Sequence, residues 1–158
     1  MSSINTLLTN AFKFTIDRGH NNIELFCQAA GLPGVKLSTQ PQPTTLGTQI
    51  PIATNTFTFD PLLIEFFIDQ NLDNWKSIYD WMKAIGNISD ASSEPYQDWA
   101  TEARLIPMNP SLCPIGDRTI TFYHVIPVDL GGIGFKADVN DPTQTKCRVA
   151  FAYSYYSF

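Results

Sequence analysis

Hydrophobic and polar residues alternate along much of the chain with the period of two that is typical of β-strands. Near the start, Phe12, Phe14 and Ile16 alternate with polar residues, and a polar turn cluster separates this strand from the next one. The same alternation indicates strands at residues 23–28, 56–69, 102–108, 118–126 and 146–156. These strands predict a mainly antiparallel β domain.

One segment departs from this pattern, because its hydrophobic residues recur with a helical period and predict a helix at about residues 74–85. Asp73 is a suitable N-cap, and Gly86 is a suitable residue just beyond the last turn. Aromatic residues on such a stripe could contact a partner, but they more often belong to the core. The side chains expected to pack on the sheet are Trp75, Ile78, Tyr79, Met82 and Ile85.

A strand corner is predicted at Gly31, Leu32, Pro33 and Gly34, where one strand pattern ends and another begins at once. Glycine tolerates backbone angles that other residues resist, and proline fixes its own φ. We expect this stretch to redirect the strand, so that the sheet folds over into a second sheet or a barrel wall.

Residues 38–56 are rich in Thr, Gln and Pro and contain no charged residue. Leu46, Ile50 and Ile52 give this segment an apolar stripe. We therefore predict a projecting β-hairpin at about residues 38–56 that docks on a neighbouring molecule, with a mobile surface loop as the alternative.

The composition suggests that part of the surface is covered by another molecule. Charged residues make up 16% of the chain, against roughly 25% in typical soluble domains. The net charge of −5 and the scattered basic residues argue against tight binding to DNA phosphates. Such a chain could still let DNA pass without holding it.

No motif for catalysis or metal binding stands out in the sequence. The glycine-rich stretch at residues 130–134 is not followed by a helix, and residues 138–141 lack the glycine and glutamate of a calcium loop. The two histidines and three cysteines are not at ligand spacing. We expect no catalytic residue, metal or cofactor, and neither a signal peptide nor a membrane anchor.

Three segments together resemble the tail tube proteins of contractile-tailed bacteriophages, which are related to the tube proteins of contractile injection systems. They are ELFCQAAGLPGV (residues 24–35), FTFDPLLIEFFIDQNLDNWKSIYDWMKAIGN (residues 57–87) and HVIPVDLGGIGFKADVNDPTQTKCRVAFAYSYY (residues 124–156). The resemblance implies an antiparallel β-sandwich or half-barrel of the tail-tube type, mainly β (α+β), with one flanking helix and the projecting hairpin. It also implies a single tail-tube domain over residues 1–158, with residues 1–10 as a flexible N-terminal arm.

The function implied by this resemblance is structural and not enzymatic. Subunits would form hexameric rings that stack into the inner tail tube of the virion, assembled in the host cytoplasm, through which DNA passes into the host. Implied partners are further copies of the chain, the tail sheath, baseplate initiator, tail terminator and tape measure proteins, and transiting DNA without sequence-specific binding. The residues expected to stack the rings are Thr44, Thr45, Leu46, Gln49, Ile50 and Ile52.

Other functions remain open at this point. A tail terminator or a baseplate–tube junction protein would have the same fold, and a small β-barrel ligand-binding protein or enzyme is a more distant alternative.

Overall fold

The computed structural model describes residues 12–17, 23–24, 27–86, 101–108, 113–114, 118–137 and 144–158. The predicted N-terminal arm lies outside these residues. The elements are β1 (Phe12–Asp17), β2 (Ile23–Glu24), β3 (Cys27–Ala30), β4 (Val35–Pro43), β5 (Gln49–Phe59), β6 (Leu62–Phe67), α1 (Asp73–Gly86), β7 (Thr101–Pro107), β8 (Ile120–Leu130), β9 (Lys146–Ala152) and β10 (Tyr155–Ser157).

The strands form one large antiparallel sheet and one separate hairpin. The order in the large sheet is β2-β1-β7-β8-β9-β6-β3, with β10 paired to β8, while β4 pairs with β5 and with no other described strand. Within the described residues the fold is therefore mainly antiparallel β with a single helix and is not a closed barrel. This confirms the fold class that the sequence predicts.

The large sheet folds over on itself, and β8 is shared by both halves. The first half of β8 pairs with β7 and β10, and its second half pairs with β9. The bend occurs at His124, which has a positive φ of 56° in the middle of the strand. Two strands, β7 and β8, lie between β1 and β9 in the sheet, yet the ring centroids of Phe14 in β1 and Phe151 in β9 are 6.2 Å apart. Their contact places the apolar core between the two halves.

The helix α1 packs on this core, but not through all the side chains that the sequence suggests. Ile78 and Trp81 are fully buried, and the Trp81 ring lies 6.2 Å from that of Phe151. Trp75, Met82 and Ile85 are partly buried against the core. The prediction that Tyr79 packs on the sheet is wrong, because Tyr79 is 45% exposed and stacks on Trp75.

An α-helix turns by 100° per residue, and this explains why Trp81 is buried while Tyr79 is exposed. Trp81 follows Ile78 by three positions and therefore shares its face of the helix. Tyr79 is rotated by 100° from Ile78, toward the edge of the buried stripe. Trp81 is thus the large aromatic residue of the helix that enters the core.

A buried asparagine joins the start of α1 to the end of β6. The Asn74 side-chain oxygen accepts the N–H groups of Trp75 at 2.8 Å and Asp69 at 3.3 Å, and its Nδ2 donates to the Phe67 carbonyl at 2.7 Å. Asp73 is the first residue of the helix, and its carbonyl accepts the Ser77 hydroxyl. The Asn74 side chain therefore accepts a backbone N–H of the first turn, whereas the sequence predicts that Asp73, as the N-cap, would do so.

Candidate assembly surface

The predicted hairpin is present and is longer than the sequence suggests, because β4 begins at Val35 and β5 continues to Phe59. Its turn is tightly bonded: the Thr44 N–H donates to the Thr48 carbonyl at 2.9 Å, and the Thr44 hydroxyl donates to the same oxygen at 2.6 Å. Gly47 has a positive φ of 74°, a conformation that glycine adopts without strain. All of β4 and nearly all of β5 are exposed. The hairpin thus projects from the main sheet as an ordered element.

The six residues expected to stack the rings lie on different parts of this hairpin. Thr44 is bonded within the turn, Thr45 is exposed there, and Leu46 is 88% exposed at the tip. Ile50 and Ile52 lie on one face, opposite Gln42 and Gln40, whereas Gln49 belongs to the other face with Pro51. The structure thus brings Ile50 and Ile52 together and separates Gln49 from them.

Two tyrosines near the end of the chain hold the base of the hairpin. The Tyr153 hydroxyl donates to the Asp60 carbonyl at 2.8 Å, and the Tyr156 hydroxyl donates to the Pro33 carbonyl at 3.2 Å. The ring of Phe59 lies 5.9 Å from Tyr153 and 5.6 Å from Tyr156 between centroids. Burial raises the pKa of Tyr153 to about 12, and nearby Tyr156 and Asp60 add to this effect. The Tyr153 hydroxyl therefore stays protonated and able to donate at neutral pH.

The predicted corner lies between β3 and β4, and Gly34 allows a close approach there. The Asp60 N–H donates to the Gly34 carbonyl at 3.0 Å, and a Cβ atom on Gly34 would lie 2.8 Å from Asp60 Oδ2. The other oxygen of Asp60 pairs with Lys36 Nζ at 3.1 Å on the surface. Pro33 is buried and Leu32 is exposed, and a Cβ atom on Gly31 would meet no atom of the described residues within 4 Å. Gly34 is therefore the corner residue at which an added side chain would displace the Asp60 carboxylate.

The base of the hairpin continues into an apolar surface, here called the aromatic patch. It joins two cross-strand pairs, Val35 with Phe59 and Leu37 with Phe57, to a row of rings. The distance between ring centroids is 6.3 Å for Phe57 and Phe59, 5.6 Å for Phe59 and Tyr156, and 6.0 Å for Tyr156 and Phe158. Phe57 is 63% and Phe158 is 70% exposed. Its members are Val35, Leu37, Phe57, Phe59, Tyr156 and Phe158.

The chemistry of this surface suits protein docking. Lys36 is the single charged residue between Val35 and Phe59, and exposed apolar patches of this kind mark interaction surfaces. Among the described residues no group of three or more His, Cys, Asp or Glu side chains could hold a metal ion. Burial raises the pKa of Cys27 to about 12 and also raises that of Cys147, so both sulfurs remain thiols. The described part of the chain has no helix that is long and apolar enough to cross a membrane.

The sequence pattern gives no sign that the two tyrosines and Asp60 meet at the base of the hairpin. The final strand pattern does show aromatic residues, but alternation alone does not reveal which of them reach the hairpin. The break in the strand between β9 and β10 decides this, since it turns Tyr153 and Tyr156 toward Phe59 while Tyr155 stacks on Tyr123.

Comparison with known proteins gives related sequences and folds. The sequence model of the family described as phage tail tube protein matches residues 2–158. The tail tube terminator protein of Enterobacteria phage T4 is 25% identical over 155 residues, which cover 93% of this chain and 86% of that protein.

Two cryo-electron microscopy structures show the same fold. A chain of the anti-feeding prophage baseplate has a TM-score of 0.71 at 13% identity, with 99% of this chain and 96% of that chain covered. A chain of the tube-terminating cap of the anti-feeding prophage has a TM-score of 0.66 at 10% identity, with 99% and 93% covered.

Proposed function

This chain belongs to the phage tail tube protein family, and from this premise we propose that it is a tail tube terminator. Proteins of this family are structural components of the viral tail. The proposed subunit forms a ring that docks on the last ring of the tube and ends its growth. The single observation that carries the proposal is the relation to the T4 tail tube terminator, which extends over nearly the whole chain.

The fold alone does not distinguish a terminator from other tail-tube proteins. Chains from a baseplate and from a terminating cap have similar TM-scores of 0.71 and 0.66 to this chain, both at low identity. The relation in sequence to the T4 terminator therefore supports a terminator over the other positions in the tail. The repeating tube subunit is the second candidate, because the matching family is described as a tail tube protein.

The hairpin and the aromatic patch provide the surfaces for such a ring. A two-stranded hairpin is marginally stable by itself in water, so an exposed hairpin of this length is suited to packing on another molecule. The aromatic patch packs against a neighbouring copy within a six-membered ring, in keeping with the six-fold symmetry of the baseplate that contains a similar chain. The turn with Leu46 and the face with Ile50 and Ile52 contact the adjoining tube ring. No catalytic step is involved.

The remaining partners follow from this position in the tail. The ring contacts the tube subunits below it and the sheath protein around it, and it surrounds the path of the tape measure protein and DNA. A lumen without clustered basic residues would let DNA pass without binding it.

The proposal is tested by growing tubes from the tube protein of the same tail, with and without this chain. We expect this chain alone to form isolated rings under negative stain, and to shorten the tubes as its ratio to the tube protein rises. Long tubes formed by this chain alone would favour the repeating subunit and overturn the terminator proposal.

A matched variant identifies the docking surface in the same assay. Replacement of Leu46, Ile50 and Ile52 by Ser removes exposed apolar side chains from a hairpin that is separate from the core. We expect the variant to keep its fold and its rings but to lose its effect on tube length. If the variant shortens tubes as well as the parent protein does, the hairpin face is not the docking surface.

A further inference from the structure

The hydrogen-bond pattern of the hairpin shows which backbone groups point outward. The Thr44 N–H donates to the Thr48 carbonyl, so these two residues form a hydrogen-bonded pair. Bonded and non-bonded pairs alternate in an antiparallel ladder. The pairs of Gln42 with Ile50 and of Gln40 with Ile52 are therefore also hydrogen-bonded. The non-hydrogen-bonded pairs, which alternate with these bonded pairs, direct their N–H and C=O groups toward the two outer edges of the hairpin.

Prolines occupy three of the four outward positions in the outer half of the hairpin, by which we mean residues 40–43 of β4 and 49–52 of β5. The pairs between the bonded ones are Pro43 with Gln49 and Pro41 with Pro51. Since proline has no N–H, the outer half of β4 offers no outward donor and that of β5 offers only Gln49. The prolines do not interrupt the hairpin, because none of them lies at a position that donates to the partner strand.

This placement matters because the hairpin would otherwise be open to pairing with another strand. Exposed edge strands are usually protected by charged side chains, by prolines or by covering elements. β5 has no charged residue and consists largely of Thr, Ile and Phe, a composition that favours pairing between copies. Neither β4 nor β5 pairs with any strand of the main sheet. Proline is thus the protection that the outer half of the hairpin carries.

We propose that Pro41, Pro43 and Pro51 close both edges of the outer hairpin to strand addition by a second copy of this chain. Two copies consequently cannot join through the backbones of their outer halves, which dock through their side chains. The benefit of this arrangement rests on the proposed function, since a ring that ends a tube must not recruit further copies of itself. The closure of the edges is a property of the isolated protein and can be measured without the tube.

The test restores outward donors and follows self-association. Pro41→Thr with Pro43→Thr opens the edge of β4, and added Pro51→Thr opens that of β5. The control, Gln40→Thr with Gln42→Thr, puts the same residue type at neighbouring inward-bonding positions of the same strand. Sedimentation velocity over a range of concentrations measures the mass of the particles, and far-ultraviolet circular dichroism checks the fold.

We expect the proline double variant to pair edge to edge, so that its particle mass rises about twofold at high concentration. The triple variant, with two open edges, should form larger assemblies without a fixed size, while the control keeps the parental mass. Unchanged mass in the folded double and triple variants would overturn the proposal. If a multiple variant loses its fold, the single variants decide, and absence of any rise in their association overturns it as well.

The outcome is separable from that of the proposed function. If the parent chain forms tubes instead of rings, the terminator proposal fails. The edge proposal is then tested by comparing tubes of the proline variants with tubes of the parent chain. It predicts that the variant tubes associate side by side into bundles, and it fails only if no bundling occurs.

Discussion

The hydrogen bond from Tyr153 to the base of the hairpin gives a quantitative test of how this element is anchored. Tyr153→Phe removes the hydroxyl that donates to the Asp60 carbonyl at 2.8 Å and leaves the ring beside Phe59. A protein hydrogen bond contributes about 1 kcal/mol net, and a buried carbonyl left without a partner costs about 1–3 kcal/mol. Because this site is only part-buried, water reaches the carbonyl, and we expect a loss of about 1 kcal/mol. In a domain of this size that loss lowers the Tm by about 2–4 °C.

The same residue gives a pH dependence with a defined sign. Burial raises the pKa of Tyr153 to about 12 in the folded protein, above the ordinary value of about 10. A raised pKa means that folding favours the neutral phenol. The stability linked to Tyr153 is therefore fully present below about pH 10 and is lost as the pH rises through about 12. The Tyr153→Phe variant should lose less free energy of unfolding across this interval than the parent protein.

Urea unfolding followed by circular dichroism measures both effects. The control is Tyr155→Phe, since Tyr155 is 46% exposed and stacks on Tyr123 away from the hairpin. Equal stability of the Tyr153→Phe and Tyr155→Phe variants at neutral pH would refute the anchoring role. An identical loss of stability in the parent and Tyr153→Phe proteins at high pH would refute the link between Tyr153 ionisation and the free energy of unfolding.

Three further predictions follow from burial and close contact. Trp81→Ala should lower the free energy of unfolding by about 3–5 kcal/mol because Trp81 is fully buried. Tyr79→Ala should cost only the ring stacking on Trp75, about 0.5–1.5 kcal/mol. Equal losses for the two variants in urea unfolding would contradict this. Gly34→Ala should displace the Asp60 carboxylate, at a cost of no more than about 1 kcal/mol because its ion pair is exposed, and the loss should disappear in an Asp60→Ala background. Burial and a pKa of about 12 should make Cys27 slow to alkylate in the folded protein at neutral pH; mass spectrometry that finds the same rate with and without urea would disprove this.

Local patterns account for much of what could be predicted from the sequence. The helix was found because its hydrophobic residues recur with a helical period, and the hairpin because an uncharged segment rich in Thr, Gln and Pro carries an apolar stripe. The error at Tyr79 arose from the choice among aromatic residues on neighbouring faces. A shift of two positions along a helix decides whether a side chain enters the core.

Long-range contacts could not be predicted in this way. The tyrosines that hold the hairpin are 93 and 123 residues from their acceptors, and no local pattern links them. The bend in β8 also lacked a signal, because His124 lies inside a strand pattern and its positive φ is seen only in the structure. The distinction between a terminator and a repeating subunit depends on the related sequence and not on any element of the fold.

The distance along the chain between the hairpin and its tyrosine anchors has a consequence for biosynthesis. During translation, Pro33 emerges from the ribosome 123 residues before Tyr156, which holds it in the native fold. The base of the hairpin in a nascent polypeptide therefore lacks this hydrogen bond until Tyr156 has been added and has emerged.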